Sequence, residues 1–206
     1  MDFSYILKSA KYDETLLLKY GFKKSEASDS YSVTKTFSVA GNDFYVIFEI
    51  SESSFSGRIV EQESDEIYAM AEVPSAAGSF VTEVRRQVQD FAEDIRDTCF
   101  VSTDMKKNFT EFVSKHFGVS GDNPFREESP DTMVFRTPEK SWFALVMTVS
   151  FKNLGFRSDA PVSVVNLKHR PEHIPEIVDN HRIFNAYHMN KKHWITVILS
   201  DNMDFD

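Results

Sequence analysis

A chain of 206 residues with 41% hydrophobic side chains, 19 Phe among them, carries enough apolar surface for one large packed domain or two small ones, which excludes a disordered or fibrous chain. Its formal net charge of −9 sits at the front: residues 1–100 hold 10 Lys and Arg against 18 Asp and Glu, and residues 101–206 hold 13 against 14. Nucleic acid is repelled at long range by such a chain, so any contact with it has to come from a local patch in the second half, where all six histidines lie.

In chain order, residues 3–20 read as one or two short helices, with Leu16, Leu17 and Tyr20 on one side and Gly21 as the stop. Alternation predicts a strand over Ser32–Val39, a turn at Gly41-Asn42-Asp43 and a second strand to Ile50 with Phe44, Val46, Phe48 and Ile50 on one face. Arg58–Gln62 and Ile67–Val73, flanking Ser64-Asp65, read as a further hairpin. Phe80, Val84, Val88, Phe91, Ile95 and Cys99 recur at helical spacing and predict a long helix from Ser79 to Thr98.

A boundary follows near Val101 to Asp104. Asp104 is an N-cap for a helix whose stripe is Phe109, Phe112, Val113, His116 and Phe117, ended by Gly118. Strands are expected over Thr132–Thr137, Trp142–Ser150 and Val162–Lys168, then a short helix opened by Pro171 and carrying Ile174, Ile177 and Val178, and a last strand over Trp194–Ser200. Helix, three strands, helix thus occurs twice. The pattern is an α+β chain of two consecutive two-layer domains, 1–100 and 101–206, each an antiparallel sheet covered on one face by helices.

The second domain carries the recognisable residues. Val134-Phe135-Arg136, the strand from Lys140 to Leu145, Asn166-Leu167-Lys168 with Pro171-Glu172, and the octapeptide Tyr187-His188-Met189-Asn190-Lys191-Lys192-His193-Trp194 resemble the signature of the MmcQ/YjbR family over residues 104–200. Residues 1–100 resemble the extra N-terminal segment of longer bacterial members. The resemblance implies a compact double-wing α+β domain, similar to secretion-chaperone folds, with a role in DNA binding. Members continue into a final helix with a Ser-Tyr pair, whereas this chain stops at Asp206.

Two readings of the octapeptide stay open. Lys191 and Lys192, adjacent at a strand entrance, point opposite ways, while His188, Asn190 and His193 donate to phosphate oxygens and Tyr187 or Trp194 stacks on a base. Alternatively Trp194 and Met189 fill the core, Asn190 supports a tight turn and a buried histidine bonds a carbonyl. Lys168, His169 and Arg170, before the helix at Pro171, extend a cationic patch assisted by the helix N-terminus. Between Asn166 and Trp194 five Lys or Arg face three acids, a balance suited to weak, salt-sensitive and non-specific binding that strengthens when histidines protonate.

Other chemistry is poorly motivated. His169 and His173 are separated by Pro171, and His188 and His193 are five apart, so neither pair shares a helical face; Glu176 and Asp179 complete a metal site only if the fold brings them in. No nucleophile elbow, phosphate loop, dinucleotide fingerprint or zinc-protease motif occurs. Cys99 lies on the apolar stripe of the long helix as an inert thiol, and Glu61, Glu63, Asp65 and Glu66 form a solvated hairpin. A lone cysteine excludes an intramolecular disulfide and a four-thiolate zinc site, and with no leader and no apolar run near the roughly 20 residues of a membrane span, the cytoplasm is expected.

The expectation is therefore a non-enzymatic, cofactor-free DNA-binding accessory protein, a monomer away from membranes, contacting phosphates through Lys168, Arg170, His188, Asn190, Lys191, Lys192 and His193. The alternative is a protein-interaction or chaperone-like module with a protein partner and no nucleic-acid activity.

Overall fold

The computed structural model describes residues 1–101, 104–201 and 203. The chain divides into two compact units, Met1–Val101 and Ser102–Asp206; of the expected boundary, Ser102 and Thr103 lie outside the described residues.

In the first unit a 3-10 turn (Ile6–Lys8) precedes β1 (Lys11–Tyr12), α1 (Glu14–Tyr20), β2 (Lys23–Lys24), β3 (Ser30–Val39), β4 (Asn42–Ser51), β5 (Phe55–Glu61), α2 (Ser79–Cys99) and β6 (Phe100–Val101). Asp13 caps α1 by accepting from Leu16 N at 2.9 Å, and Gly21 ends it at φ +112°. Strands β2 to β5 form an antiparallel sheet in chain order, while β1 pairs with β6. Period-two alternation buries Phe37, Val39, Phe44, Val46, Phe48 and Ile50 on one face and leaves Ser32, Thr34 and Thr36 in solvent. Helix α2 presents Val81, Val84, Val88, Ala92, Ile95 and Cys99 as its buried stripe, flanked by Phe80 against Phe44 and Phe91 against Phe37.

Two expectations change here. The β3–β4 turn is Ala40-Gly41, both at positive φ (+48° and +83°), so that Val39 pairs with Asn42; a two-residue turn of this hand matches the strand twist, and Asn42 and Asp43 become strand residues. Residues Ile67–Val73 are not a strand. One bridge joins Val60 to Ile67, and a 3-10 turn over Ala69–Ala71 follows. The cause is Arg85 of α2, whose guanidinium donates to the carbonyls of Met70, Ala71, Val73 and Ala76 at 2.6–3.2 Å and so takes the acceptors a ladder needs.

The second unit contains α3 (Met105–Phe117), β7 (Met133–Arg136), β8 (Trp142–Ser150), β9 (Pro161–Lys168), α4 (Ile174–Ile177), β10 (Ile183–Asn185) and β11 (Trp194–Ile198). The antiparallel sheet runs β10-β11-β9-β8-β7. The meander β7-β8-β9 answers β3-β4-β5, but β10, only three residues long and absent from the sequence reading, adds a hairpin with β11 to the far side of β9. On one face Phe135, Ala144, Val146, Val165, Ile195 and Val197 pack with Met105, Phe109 and Val113 of α3 and with Ile174 of α4. The expected α3 stripe is narrower than its pattern: Asp104 caps it and Gly118 ends it, yet His116 and Phe117 in its last turn are exposed.

The other face is buried as well. Val134, Leu145, Val149, Val164, Asn166, Thr196 and Ile198 lie there, beneath segment 151–160, which opens with a 3-10 turn at Phe151–Leu154, and the irregular segment 186–190 rather than beneath α-helices. Among the described residues no helix is long and apolar enough to cross a membrane.

Candidate functional site

The octapeptide is positioned by a buried polar bracket. Asn166 on β9 and Thr196 on β11 are cross-strand partners and wholly buried. Thr196 Oγ1 donates to Asn166 Oδ1 at 2.5 Å, Asn166 Nδ2 donates to the Tyr187 carbonyl at 2.9 Å, and the Tyr187 N–H donates to Thr196 Oγ1 at 2.8 Å. Both backbone groups of Tyr187 are thereby satisfied away from any ladder, which allows an irregular segment to lie on a buried sheet face. His188 follows in the left-handed region at φ +56°.

After Met189 the chain turns. His193 N donates to the Asn190 carbonyl at 2.9 Å, and Asn190 Oδ1 accepts from Lys192 N at 3.0 Å. Asn190 therefore holds a turn with its carbonyl oxygen. Lys191 and Lys192 are the exposed corner residues of that turn, not strand residues, so the opposite pointing expected from strand alternation does not apply. Trp194 then enters β11 buried, opposite Lys168, and is closed to base stacking.

One step beyond that pair, His169 N donates to the His193 carbonyl at 2.8 Å, which ties the Lys168–Arg170 segment to the lysine turn. At this end of the sheet an open depression of about 740 Å³ is lined by Phe143, Lys168, His169, Arg170, His173 and His193. Lys168, Arg170, Lys191 and Lys192 are all exposed, and none pairs with a carboxylate among the described residues; His173 Nδ1 meets Glu176 at 3.5 Å. The expected help from a helix N-terminus is not supplied, because Pro171–His173 is a 3-10 turn and α4 has four residues, too few peptide dipoles to sum. Positive potential here comes from side chains.

The front of the octapeptide serves another place. Tyr187, His188 and Met189 wall a groove of about 730 Å³ over β8, whose floor includes Leu145, Met147 and Val149 and whose rim includes Trp142 and Phe125. The predicted residues are thus divided: Lys168, Arg170 and His193 line the cationic depression, Lys191 and Lys192 belong to the adjoining turn, and His188 lines the groove. Met189, one of the two side chains given to the core, is a half-buried groove wall. Arg136 is engaged: it binds Asp122 through two 3.0 Å bonds that hold this carboxyl below its usual range, and its guanidinium lies 5.2 Å from the Trp142 ring centre.

Among the described residues no three His, Cys, Asp or Glu stand together as a metal site. Asp179 is committed to the backbone, its Oδ1 accepting from the N–H groups of His181, Arg182 and Ile183 at 2.7–2.9 Å. Partial burial pushes its carboxyl up, but those donors outweigh it and hold the group at about 2. Burial drives the Cys99 thiol up to about 11, helped by Asp94, so it is not a nucleophile at neutral pH.

The groove was missed in the sequence reading. Its signal is β8 itself, where Leu145, Met147 and Val149 alternate with Ala144 and Val146, so both faces are apolar and the second needs a cover. Asn166, a polar residue within the apolar run Val164-Val165-Asn166-Leu167, is the sequence sign of the buried hydrogen bonds.

A family model described as YjbR matches residues 115–206. The uncharacterized protein YyaQ of Bacillus subtilis is 29% identical over 94 residues, covering 46% of this chain and 80% of that one. A crystal structure of a Pseudomonas syringae protein is 35% identical, covers 48% of this chain and 86% of that chain, and superposes with a TM-score of 0.46; a solution structure from the same organism is 36% identical, covers 46% and 75%, and gives 0.42. The signature residues, the bracket they build and the family match all fall within the second unit, and residues 115–206 are a domain of the YjbR (MmcQ/YjbR) family.

Proposed function

We propose that the YjbR-family domain contacts the phosphates of nucleic acid at the sheet end where β9 leaves and β11 begins, and that the protein is a non-enzymatic accessory factor of the cytoplasm. The observation that carries this reading is the set of four exposed cations, Lys168, Arg170, Lys191 and Lys192, without carboxylate partners among the described residues and tied together by the His169–His193 backbone bond. Buried Trp194 and a Tyr187 turned to the groove leave little for base readout, so the binding is weak and sequence-independent. A lone buried thiol suits a reducing compartment.

Titration of a fluorescent duplex at several salt concentrations tests it. With up to four phosphate contacts the log–log salt slope is about −3 to −4, and Lys191→Ala with Lys192→Ala reduces it by about 2. Binding indifferent to salt, or unchanged by this double variant and by Lys168→Ala with Arg170→Ala, overturns the proposal.

A second reading, a protein-interaction module, is favoured by Ile67, Met70 and Val73, which are 59%, 50% and 40% exposed on the segment held by Arg85. A protein that co-purifies with the full chain and is lost with Met70→Asp would support it; unchanged co-purification would remove it.

A further inference from the structure

We propose that the groove over β8 is a binding site for a small hydrophobic amine, an apolar or aromatic body bearing an ammonium group. Its volume of about 730 Å³ lies within the range of small-molecule sites. Met147 of the floor offers apolar area, and the half-buried Trp142, Tyr187 and Met189 flank it. These walls are pre-formed: the Asn166–Thr196 bracket fixes Tyr187 through both backbone groups, and the next residue, His188, is held in a left-handed conformation that a non-glycine residue adopts only when its surroundings impose it.

Charge selects the ligand. The lining includes two carboxylates, Glu128 and Asp159, and neither Lys nor Arg. Glu128 is exposed with no cation paired to it among the described residues. Asp159 faces Lys152 at 3.6 Å, but both side chains are largely in solvent (81% and 69%), so water and salt screen that pair and a bound ammonium competes with it. The other cations near the lining are paired too: Arg136 makes two bonds to Asp122, and Lys106, which donates to the lining hydroxyl of Thr148 at 2.9 Å, faces Asp131 at 3.7 Å. An anionic ligand meets two carboxylates here, whereas an ammonium meets two carboxylates and electron-rich ring faces. This site is separate from the phosphate-contacting end, whose cations lie outside the groove lining.

The test uses the two indole N–H resonances of the full chain, from Trp142 and Trp194, in ¹⁵N-labelled protein titrated with 2-phenylethylamine, 2-phenylethanol and phenylacetate. These probes share a ring and differ in charge. The Trp142 resonance is expected to shift saturably with the amine, at a Kd at least about tenfold below that of the carboxylate and about threefold below that of the alcohol. Glu128→Gln with Asp159→Asn, both at exposed positions, should remove the preference while leaving the spectrum folded. Absence of saturation with the amine, an affinity order indifferent to charge, or a preference that survives the double variant overturns the proposal. Duplex binding by the same samples reads the other site, so either proposal can fail alone.

Discussion

Removing Asn166 tests whether the bracket organises the signature. Asn166→Ala leaves the Tyr187 carbonyl without its donor and the Thr196 hydroxyl without its acceptor, and it empties a site that is 0% exposed. At about 1–3 kcal/mol for each buried group left unsatisfied, the loss is about 3–5 kcal/mol. Thr196→Val keeps the shape but strands Asn166 Oδ1 and the Tyr187 N–H, costing about 2–4 kcal/mol. The double variant strands only the two backbone groups of Tyr187, so the effects should fall short of additive by about 2 kcal/mol. Urea unfolding followed by tryptophan emission measures this in the full chain, since both tryptophans, Trp142 and Trp194, lie in the second unit. A cost below about 1 kcal/mol for Asn166→Ala, or single effects that add within about 0.5 kcal/mol, would refute the bracket as a coupled unit.

Three further outcomes follow from local geometry. Arg85→Ala, and equally Arg85→Lys because one ammonium cannot serve four carbonyls, should loosen residues 67–76 by about 2 kcal/mol, seen as faster proteolysis there with little change in tryptophan-monitored unfolding. Asp179, held at about 2 against an ordinary 3.8, stabilises the fold fully above pH 3.8 and loses that contribution as pH falls towards 2; Asp179→Ala should cost about 1 kcal/mol at pH 7 and almost nothing at pH 2, whereas an equal cost at both pH values would contradict the assignment. Cys99 should resist a thiol reagent in the native protein at pH 8 and react at full stoichiometry in denaturant, and rapid native labelling would contradict its burial.

What was legible in the sequence depended on whether a local pattern decided the outcome. Phe44, Val46, Phe48 and Ile50 alternate without interruption and are buried together, and the caps Asp104 and Gly118 bound α3 because capping is satisfied within a few residues. Ile67–Val73 looked like a strand because it is apolar, but its carbonyls are claimed by Arg85, more than ten residues downstream, a contact no local pattern encodes. Strand β10 exists only because β11 offers an edge to pair with. The site residues show the same limit. Lysines at 191 and 192 and the cations at 168 and 170 were visible as composition, yet their joining rests on the β9–β11 register, and the departure of His188 to the groove rests on a left-handed backbone.

The net charge of −9 and the proposed phosphate contact are compatible only through screening, and this gives the contact a particular salt profile. At 0.15 M salt the Debye length is about 8 Å, so a duplex at Lys168, Arg170, Lys191 and Lys192 interacts with those four charges and little else. At 0.01 M it is about 30 Å, and the duplex is repelled by carboxylates throughout the chain, whatever the arrangement of the two units. Counterion release favours binding as salt falls, but the repulsion grows over the same range, so the log–log plot should bend towards a plateau below about 0.05 M. A plot that stays straight to 0.01 M would mean that the duplex touches more cations than these four, on a face other than the one joined by His169 and His193.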